Sequence, residues 1–509
     1  MSLPTTKGSR NRGTLAALLL LGALVSTLFV PRAEAVARAI TELIDVPPDV
    51  AATPEGEQLQ NAQTQFRAYL AEREFDEALE QAKSVVELCA RIWGGETRQV
   101  SQALTNLAIA QSESADHSAA QQNFLSAIET LQAVDGGLVG EGLINPLKGL
   151  ANTSIAMNDL EGAVPLFERA VHISHVTAGP NNLEQLDSLD SLSRTHFFLG
   201  DIRTANRIQD IMYRLQQRRF SADSDQYIDA LTRRARWYAM VGDFTEATFA
   251  FRRLERTIVK FHGKDDPRLI EPLLELAFVA PRQSTATPGL TPELALKEAR
   301  RAVHRAVRIA RVQSENDPTV LPKTLTAEGD FLLYATATRT ARDSYQEAYS
   351  ITVNNRDLEG LHQELFGEPV PVIRVPIRNV YHVNTTESAM GTYPDRGFVA
   401  LEFDLNINGR PENIRVLDSV PAGLMDTDVI RKVRRFVFRP GFKNGVPTSY
   451  QGLTFRHDFR YDERRLTQSE KEYIERIEKS RASRPAPEID DNMPSNTTLP
   501  GQETPAPEI

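Results

Sequence analysis

Apolar residues recur at a helical period along residues 57–352, and the same pattern returns several times. Each repeat has a turn, often Gly-Asp or Asn-Asp, and then a helix with an alanine, a large residue one turn later and a small or apolar residue beyond it. The alanines are Ala78, Ala120, Ala163, Ala205, Ala247, Ala299 and Ala341. Their successive spacings are 42, 43, 42, 42, 52 and 42 residues. Because one helix pair cannot bury its own apolar face, the pattern predicts about seven pairs that stack into a solenoid.

Small residues also mark the first helix of the pairs. Ala108, Ala151, Ser193 and Ala235 each lie twelve positions before one of the alanines, so the first helices fall in register as well. Small side chains at both positions let the two helices of a pair approach closely. The one long spacing contains PRQSTATPGLTP, residues 281–292, whose three prolines predict an inserted loop.

The period changes to that of β-strands towards the C-terminus. Residues 397–419, GFVALEFDLNINGRPENIRVLDS, alternate apolar and polar side chains on both sides of Asn408-Gly409, which predicts a hairpin. Residues 424–438 read as an amphipathic helix, and residues 448–461 alternate again. The order strand, strand, helix, strand predicts one helix lying across a three-stranded antiparallel sheet.

Composition sets the boundaries around this small module, which we place at residues 391–462. Three prolines in residues 365–390 predict a stiff, extended connector. A capping-box signature at Thr467 opens a short charged helix over residues 467–482. Residues 485–509 contain six prolines, five acids and no basic residue, which predicts a disordered acidic tail.

The array over residues 57–352 resembles tetratricopeptide repeats in the longer form found in kinesin light chains and related bacterial proteins. The stretch GKDDPRLIEPLLELA at 263–277 is similar to the loop between such long repeats. The resemblance implies a solenoid whose concave groove binds proteins or peptides and is lined by exposed positions of the first helices. In the family's register these positions are Asn106, Lys148, Asn152, Asp190, Arg194, Arg233 and Arg236. Lys148 and Asn152, one helical turn apart, could bind a peptide carboxylate; the alternative is that all seven are solvated helix faces.

The module resembles the C-terminal domain of TonB proteins, which couple inner-membrane energy to outer-membrane transporters. The matching residues are Gly397, the hairpin NINGRPENIRVLDSVPAG, the segment RRFVFRPGFKNGVP and the aromatic last strand. The family's domain binds a transporter by adding one of its segments to the sheet edge. The resemblance therefore implies strand addition at residues 448–461, with Tyr450, Leu453, Phe455 and Phe459 on the edge to which a partner segment would pair.

The N-terminus has the order of a secretory signal peptide. Three basic residues precede an apolar run over residues 15–30, and Ala33-Glu34-Ala35 provides small residues for cleavage after Ala35. We expect residues 1–35 to be removed and the chain to enter the periplasm of a Gram-negative bacterium. The alternative is an uncleaved inner-membrane anchor, although the run has 16 residues and a span needs roughly 20.

Charge and chemistry narrow the function classes. The formal net charge of −10 argues against general nucleic-acid binding, which needs a basic surface. Cys89 is the single cysteine, so no intrachain disulfide forms. His172 and His175 are spaced as metal ligands can be, but no third ligand accompanies them, and no phosphate loop or nucleophile elbow is present. We expect no enzyme activity, metal or cofactor.

The sequence thus predicts a mainly α protein with a small α+β domain, in which a tetratricopeptide-like solenoid precedes a TonB-like module. We expect a periplasmic interaction scaffold whose groove binds a protein or peptide and whose module binds an envelope partner. The alternative is a diverged TonB-type energy transducer, anchored by residues 15–30 and acting on a TonB-dependent outer-membrane transporter. A cleavable N-terminus and a folded solenoid in place of a Pro-rich spacer favour the scaffold.

Overall fold

The computed structural model describes residues 43–283, 291–378, 380–381, 395–443 and 445–482. The expected signal peptide or anchor, most of the inserted loop, the start of the module at 391–394 and the acidic tail lie outside the described residues. The chain divides into two compact units, and the boundary falls between Trp237 and Tyr238.

The first unit consists of helices. They are α1 (Pro48–Ala51), α2 (Pro54–Glu72), α3 (Phe75–Trp93), α4 (Arg98–Glu113), α5 (His117–Asp135), α6 (Ile144–Ala156), α7 (Leu160–Ala178), α8 (Gln185–Phe198), α9 (Ile202–Arg219) and α10 (Asp225–Met240), which crosses the boundary. From α2 to α9 consecutive helices pack as pairs, and each pair packs against the next. Ile44 covers the start of this stack, where the Gln63 amide exchanges two hydrogen bonds with its backbone at 3.1 and 3.4 Å.

The turn inside each pair explains the Gly-Asp and Asn-Asp signals. Asn158 and Gly200 adopt positive φ values of 63° and 79°, which end the first helix in the left-handed region. Asp159 and Asp201 follow, and each accepts a hydrogen bond from a backbone N–H in the first turn of the second helix, at 2.9 and 3.1 Å. The pair geometry is therefore set by a few local residues in each repeat.

The alanine pattern marks the core of the solenoid. All seven alanines of the repeat are completely buried, and so are the four small residues of the first helices. A close approach at Gly149 in α6 shows why small residues are needed: a Cβ there would lie 2.3 Å from the ring of Phe124 in α5. The predicted solenoid of tetratricopeptide-like helix pairs is confirmed.

The second unit continues the helices and adds the module. Its helices are α11 (Phe244–His262), α12 (Ile270–Val279), α13 (Pro292–Gln313), α14 (Val320–Tyr334), α15 (Thr338–Val353), α16 (Glu359–Phe366), α17 (Asp426–Val433) and α18 (Gln468–Ala482). Its strands are β1 (Pro371–Ile373), β2 (Val380–Tyr381), β3 (Asp395–Leu405), β4 (Pro411–Val420), β5 (Val437–Phe438), β6 (Gly441–Lys443), β7 (Val446–Thr448) and β8 (Tyr450–Tyr461).

The main sheet of the module has the order β2-β8-β3-β4. Strand β3 is antiparallel to both β4 and β8, whereas β2 joins the end of β8 in parallel. One face packs its apolar side chains, among them Leu401 and Phe403, against Val429 and Val433 of α17. The predicted order of strand, strand, helix, strand is confirmed in β3, β4, α17 and β8.

The connector between solenoid and module differs from the expectation of a purely extended linker. Pro371 begins β1, which pairs with β5 through Phe438 and Val437. A proline is tolerated at the first residue of a short strand because its missing N–H is not needed there. Val372 and Val375 are buried, so this part of the connector packs as a structural element of the second unit.

Candidate protein-binding surfaces

The groove positions predicted in the first unit are not all exposed. Asn106 is only 2% exposed and Lys148 only 7%, which contradicts the expectation that both line a solvent-facing groove. Asn152, Asp190 and Arg236 are half-buried, and Arg194 and Arg233 are exposed. The seven positions therefore differ in what they can offer to a ligand.

Lys148 already has a carboxylate partner within the chain. Its ammonium group on α6 forms an ion pair with Asp187 on α8, the first helix of the next pair. Burial of the lysine stem makes that pair part of the packing between neighbouring repeats. The predicted use of Lys148 with Asn152 for a peptide carboxylate would require Asp187 to be displaced.

The two exposed arginines among the predicted positions, Arg194 and Arg233, form hydrogen bonds with neighbouring polar side chains. Arg194 Nε donates to Asp190 Oδ2 at 2.9 Å, while Asp190 Oδ1 accepts from Gln209 Nε2 at 3.0 Å. Arg233 donates to the side-chain oxygen of Gln216. These contacts orient two guanidinium groups on α8 and α10 while leaving them accessible, which suits recognition of a carboxylate.

The second predicted surface is on β8, which over most of its length pairs with a strand on one side only among the described residues. Strand β3 pairs with β8 from Tyr450 to Tyr461, and β2 pairs with Arg460 and Tyr461 on the other side. Within the described ranges, residues 450–459 therefore have no strand on that second side. A row of backbone N–H and C=O groups of this kind can pair with an extended segment of another chain.

The four side chains predicted at that edge point mainly into the module. Phe455 and Phe459 are buried in the core with α17, whereas Tyr450 and Leu453 are half-buried. Their alternation reflects packing of the sheet face, because a strand exposes its edge through the backbone and its faces through side chains. Burial leaves the side chains of Phe455 and Phe459 unavailable to a partner, so strand addition at this edge would use the backbone of β8.

A buried ion pair joins the module to the last helix pair. Arg439, which follows β5, donates from Nε and Nη2 to the two oxygens of Asp330 on α14, at 2.9 and 2.8 Å. The arginine and aspartate side chains are only 17% and 14% exposed. Tyr345 on α15 donates its hydroxyl to Asp330 at 2.7 Å, and the carbonyl of Leu365 accepts from Arg439 at 3.4 Å.

The electrostatics of this cluster favour the ion pair. Burial alone would lower the pKa of Arg439, but the adjacent Asp330 charge and its hydrogen bonds outweigh burial and raise it. Burial, followed by the Asp330 charge, raises the pKa of the Tyr345 hydroxyl well above its ordinary value. The arginine therefore stays charged and the tyrosine stays a hydrogen-bond donor at physiological pH.

An aromatic cluster lies beside the ion pair. Phe442 of β6 packs against Tyr349 of α15 and Phe366 of α16, with ring centroids 5.4 and 6.2 Å apart. Arg342 of α15 donates to Asn408 in the hairpin turn of the module. Apolar and polar contacts together therefore fix the module on α14, α15 and α16.

This contact surface was not found in the sequence. In the sequence, Tyr345 has only the place of a large residue one turn after Ala341, and Arg439 is only one residue of the segment that resembles TonB. Asp330 and Arg439 lie 109 positions apart, and neither shows a local pattern that would pair them. The only signal was an acid within the first helix of the last pair, at a position that an isolated solenoid would leave in water.

Neither membrane spans nor metal clusters are found in the described part of the chain. No helix there is long and apolar enough to cross a bilayer, and no group of three or more histidine, cysteine, aspartate or glutamate side chains is arranged to hold a metal ion. His172 and His175 are both exposed near the end of α7.

Comparison with known proteins bears on both parts of the chain. The model of the family described as Gram-negative bacterial TonB protein C-terminal matches residues 395–461. Among curated proteins, no significant match was found.

Solved structures of repeat proteins cover part of the chain. TPR-like repeats of a kinesin light chain from Podosopora anserina are 19% identical, with a TM-score of 0.36, over 41% of this chain and 98% of theirs. BtubC (BKLC) from P. vanneervenii is 17% identical, with a TM-score of 0.34, over 52% of this chain and 93% of its own. A tetratricopeptide repeat protein from Parabacteroides merdae is 15% identical, with a TM-score of 0.33, over 60% and 98%. The chain is similar to tetratricopeptide-repeat proteins and, over residues 395–461, to the TonB C-terminal family, as the sequence predicted.

Proposed function

We propose that the protein is an interaction scaffold of the bacterial envelope, in which the module binds an extended segment of a partner at the open edge of β8. The observation that carries this proposal is that residues 450–459 pair on one side only, as far as the structure describes the chain, in a module that matches the TonB C-terminal family. Main-chain hydrogen bonds would give affinity, and the flanking side chains would give specificity.

The fixed position of the module favours a scaffold over an energy transducer. A transducer has to extend from the inner membrane towards a distant transporter, whereas this module is held on α14 and α15 by Arg439 and Asp330. The energy-transducer alternative therefore has less support. We place the mature chain in the periplasm, after cleavage behind Ala35.

Site-specific photo-crosslinking tests the strand-addition site. Thr454 on β8 and Arg415 on β4 both lie opposite Glu402 of β3, on the two strands that flank it. A benzophenone amino acid at position 454 therefore samples the β8 edge of the sheet, and one at position 415 samples the β4 edge. We expect an envelope protein to crosslink at position 454 and not at position 415. Crosslinking at position 415 alone would move the binding edge to β4 and contradict the proposal.

The second part of the proposal concerns the helical array. We propose that the accessible Arg194 and Arg233 bind acidic groups of a protein or peptide ligand. Replacing each by glutamine should weaken binding of the ligand several-fold, because it removes the positive charge that pairs with the acidic group. Neither residue supports the buried core, so the fold should be unaffected. Unchanged affinity for a partner captured on the array would show that the two arginines are merely solvated.

Location is tested by the mature N-terminus. A chain that begins at Val36 and is released by osmotic shock would support the periplasmic proposal. Retention in the inner membrane with residues 15–30 intact would support the anchored alternative instead.

A further inference from the structure

A basic groove lies along α17 in the module. It has a volume of about 540 Å³ and opens to solvent. The residues that line it are Arg378, Tyr381, Leu424, Met425, Asp428, Arg431, Lys432 and Arg435. Four of these side chains are cationic and one is anionic, in a chain whose formal net charge is −10.

The positive charge of the groove is only partly neutralised within it. Arg431 forms an ion pair with Asp428, the single carboxylate among the lining residues. Arg378 and Arg435 are exposed, and Lys432 is half-buried. Three cations thus remain in excess around an apolar floor formed by Leu424 and Met425, an arrangement that fits an anionic segment with an apolar side chain among its charges.

Helix α18 borders this groove. Tyr381, a lining residue, donates its hydroxyl to Glu470 at 2.7 Å. A Cβ on Gly423, the neighbour of Leu424, would lie 2.7 Å from the ring of Tyr473 and 3.3 Å from Ile477. The chain that follows α18 therefore starts close to the groove.

The segment that follows α18 has complementary chemistry. Glu488, Ile489, Asp490 and Asp491 place three carboxylates and one branched apolar side chain within four positions. From Ile477, five helical residues to Ala482 advance about 8 Å, and six extended residues to Glu488 reach up to about 20 Å. Prolines at 485 and 487 favour an extended backbone, which lowers the entropy lost on binding.

We propose that the acidic segment 485–509 binds intramolecularly in the basic groove along α17, with Glu488, Asp490 and Asp491 facing its cations and Ile489 facing Leu424 and Met425. Bound there, the segment covers the positive surface of the module. A more acidic ligand, or high salt, would have to displace it before this surface became accessible. This inference does not depend on the strand-addition site on β8.

Zero-length carbodiimide crosslinking of the full-length protein tests the contact directly. The reaction joins a lysine to a carboxylate only when the two groups touch. We expect an intramolecular link between Lys432 and one of the three acids from 488 to 491, identified by mass spectrometry in the monomer. The matched controls are Lys443, exposed on β6, and Lys260, which lines another basic groove between α11 and α13.

Substitutions in the groove give a second readout. Arg431→Gln with Arg435→Gln should reduce the Lys432 link several-fold, as should 0.5 M salt, while Arg256→Gln with Arg301→Gln in the other groove should leave it unchanged. All four arginines are at the protein surface, so the far-UV circular dichroism spectrum should be unaltered.

Three results would overturn the proposal. Equal crosslinking yields at Lys432 and Lys443 would mean that the tail meets surface lysines at random. Links found only between two chains would mean that the groove is occupied by the tail of a second copy. No link at Lys432, in a protein whose other surface lysines do react, would show that the tail does not occupy the groove.

Discussion

Single side chains decide how the module is held on the helical array. Arg439 and Asp330 form a bidentate, largely buried ion pair, and the Tyr345 hydroxyl donates a further hydrogen bond to the aspartate. Removing water from two charges costs several kcal/mol, which the pair recovers only through such geometry. Replacing one partner therefore lowers the free energy of unfolding more than replacing both, because it leaves the other charge buried and unpaired.

Asp330→Ala should destabilise the second unit by about 3–5 kcal/mol, because it leaves the Arg439 guanidinium buried without its carboxylate. Native-state hydrogen exchange of α14 and β5 would measure the loss. A matched exposed pair is Arg415 with Glu402, where Arg415→Ala should leave the exchange rates close to those of the wild-type protein, because water screens the exposed guanidinium.

The double variant Asp330→Ala with Arg439→Met separates a charge effect from a packing effect. We expect it to recover part of the stability lost in Asp330→Ala, since no buried charge remains unpaired. Equal exchange rates in the single variant and the wild-type protein would contradict the importance of the pair.

His457 makes the module sensitive to mild acid. It is 1% exposed, and its Nε2 donates to the carbonyl of Arg378 at 3.0 Å. Burial lowers its pKa from the ordinary value of 6.5, an effect that the hydrogen bond to the Arg378 carbonyl and the charges of Asp458 and Asp428 only partly oppose. The unfolded chain therefore binds the proton more readily, and stability is fully present above pH 6.5 and falls as the pH drops below it.

Denaturant titrations between pH 7.5 and 5 should show this loss, with a slope of at most about 1.4 kcal/mol per pH unit from one histidine. His457→Gln keeps a donor for the Arg378 carbonyl but cannot titrate, so its slope should be smaller. His362, whose pKa burial also lowers, remains in both proteins and serves as the internal reference. Identical slopes would exclude His457 as the group responsible.

Two glycines of the helical array lie in contacts that exclude even one methyl group. A Cβ on Gly149 of α6 would lie 2.3 Å from Phe124 Cε1, and one on Gly329 of α14 would lie 2.5 Å from Tyr345 Cε1. Both rings are almost completely buried and cannot move aside. These glycines are retained in helices, where glycine costs about 1 kcal/mol relative to alanine, because the neighbouring ring occupies the space.

Gly149→Ala should lower the stability of the first unit by about 1–2 kcal/mol, as overpacking against Phe124 outweighs the gain in helix propensity. The chain has two tryptophans, Trp93 and Trp237, and both lie in this unit, so their fluorescence reports its unfolding. Gly142→Ala is the control, because its Cβ would make only an ordinary 3.5 Å contact with Leu131. Equal loss in both variants would mean that alanine is harmful for a reason other than the Phe124 ring.

The repeats could be predicted from the sequence because their determinants are local. The Asp159 cap, the positive φ of Gly200 and the buried Ala163 each act within one pair and return at a nearly constant spacing. The same is true of the Asn408-Gly409 hairpin, where Gly409 has a φ of 69° that a tight turn requires.

The candidate sites were harder to predict than the repeats, because they depend on contacts between elements that are far apart in the sequence. The burial of Lys148 follows from Asp187 on the next pair, and the attachment of the module follows from Asp330, far away in sequence. The open edge of β8 was predicted through a resemblance, but that β2 would occupy its far end follows from the path of the connector. Contacts of this type leave no periodic signal in a single sequence.

The second unit joins three kinds of element into one packed body. The last helix pair, the short helix α16 and the module share the aromatic cluster around Phe442, and β1 and β5 form a small sheet between them. The module is thus a partner in the fold of the last repeat and differs from a domain on a free linker. A ligand bound at β8 would accordingly be held at a fixed distance from α14 and α15.

Deletion of residues 391–462 tests this view of the second unit. It removes Arg439 and Phe442, so Asp330 loses its charged partner and Tyr349 and Phe366 become exposed to water. We expect faster hydrogen exchange in α14, α15 and α16, by a factor of 100 or more for a loss of about 3 kcal/mol, while far-UV circular dichroism still shows a mainly helical protein. The amides of α4 to α7 are the reference and should keep their rates. Unchanged exchange in α14 and α15 would mean that the repeat is complete without the module and that the buried ion pair adds nothing to its stability.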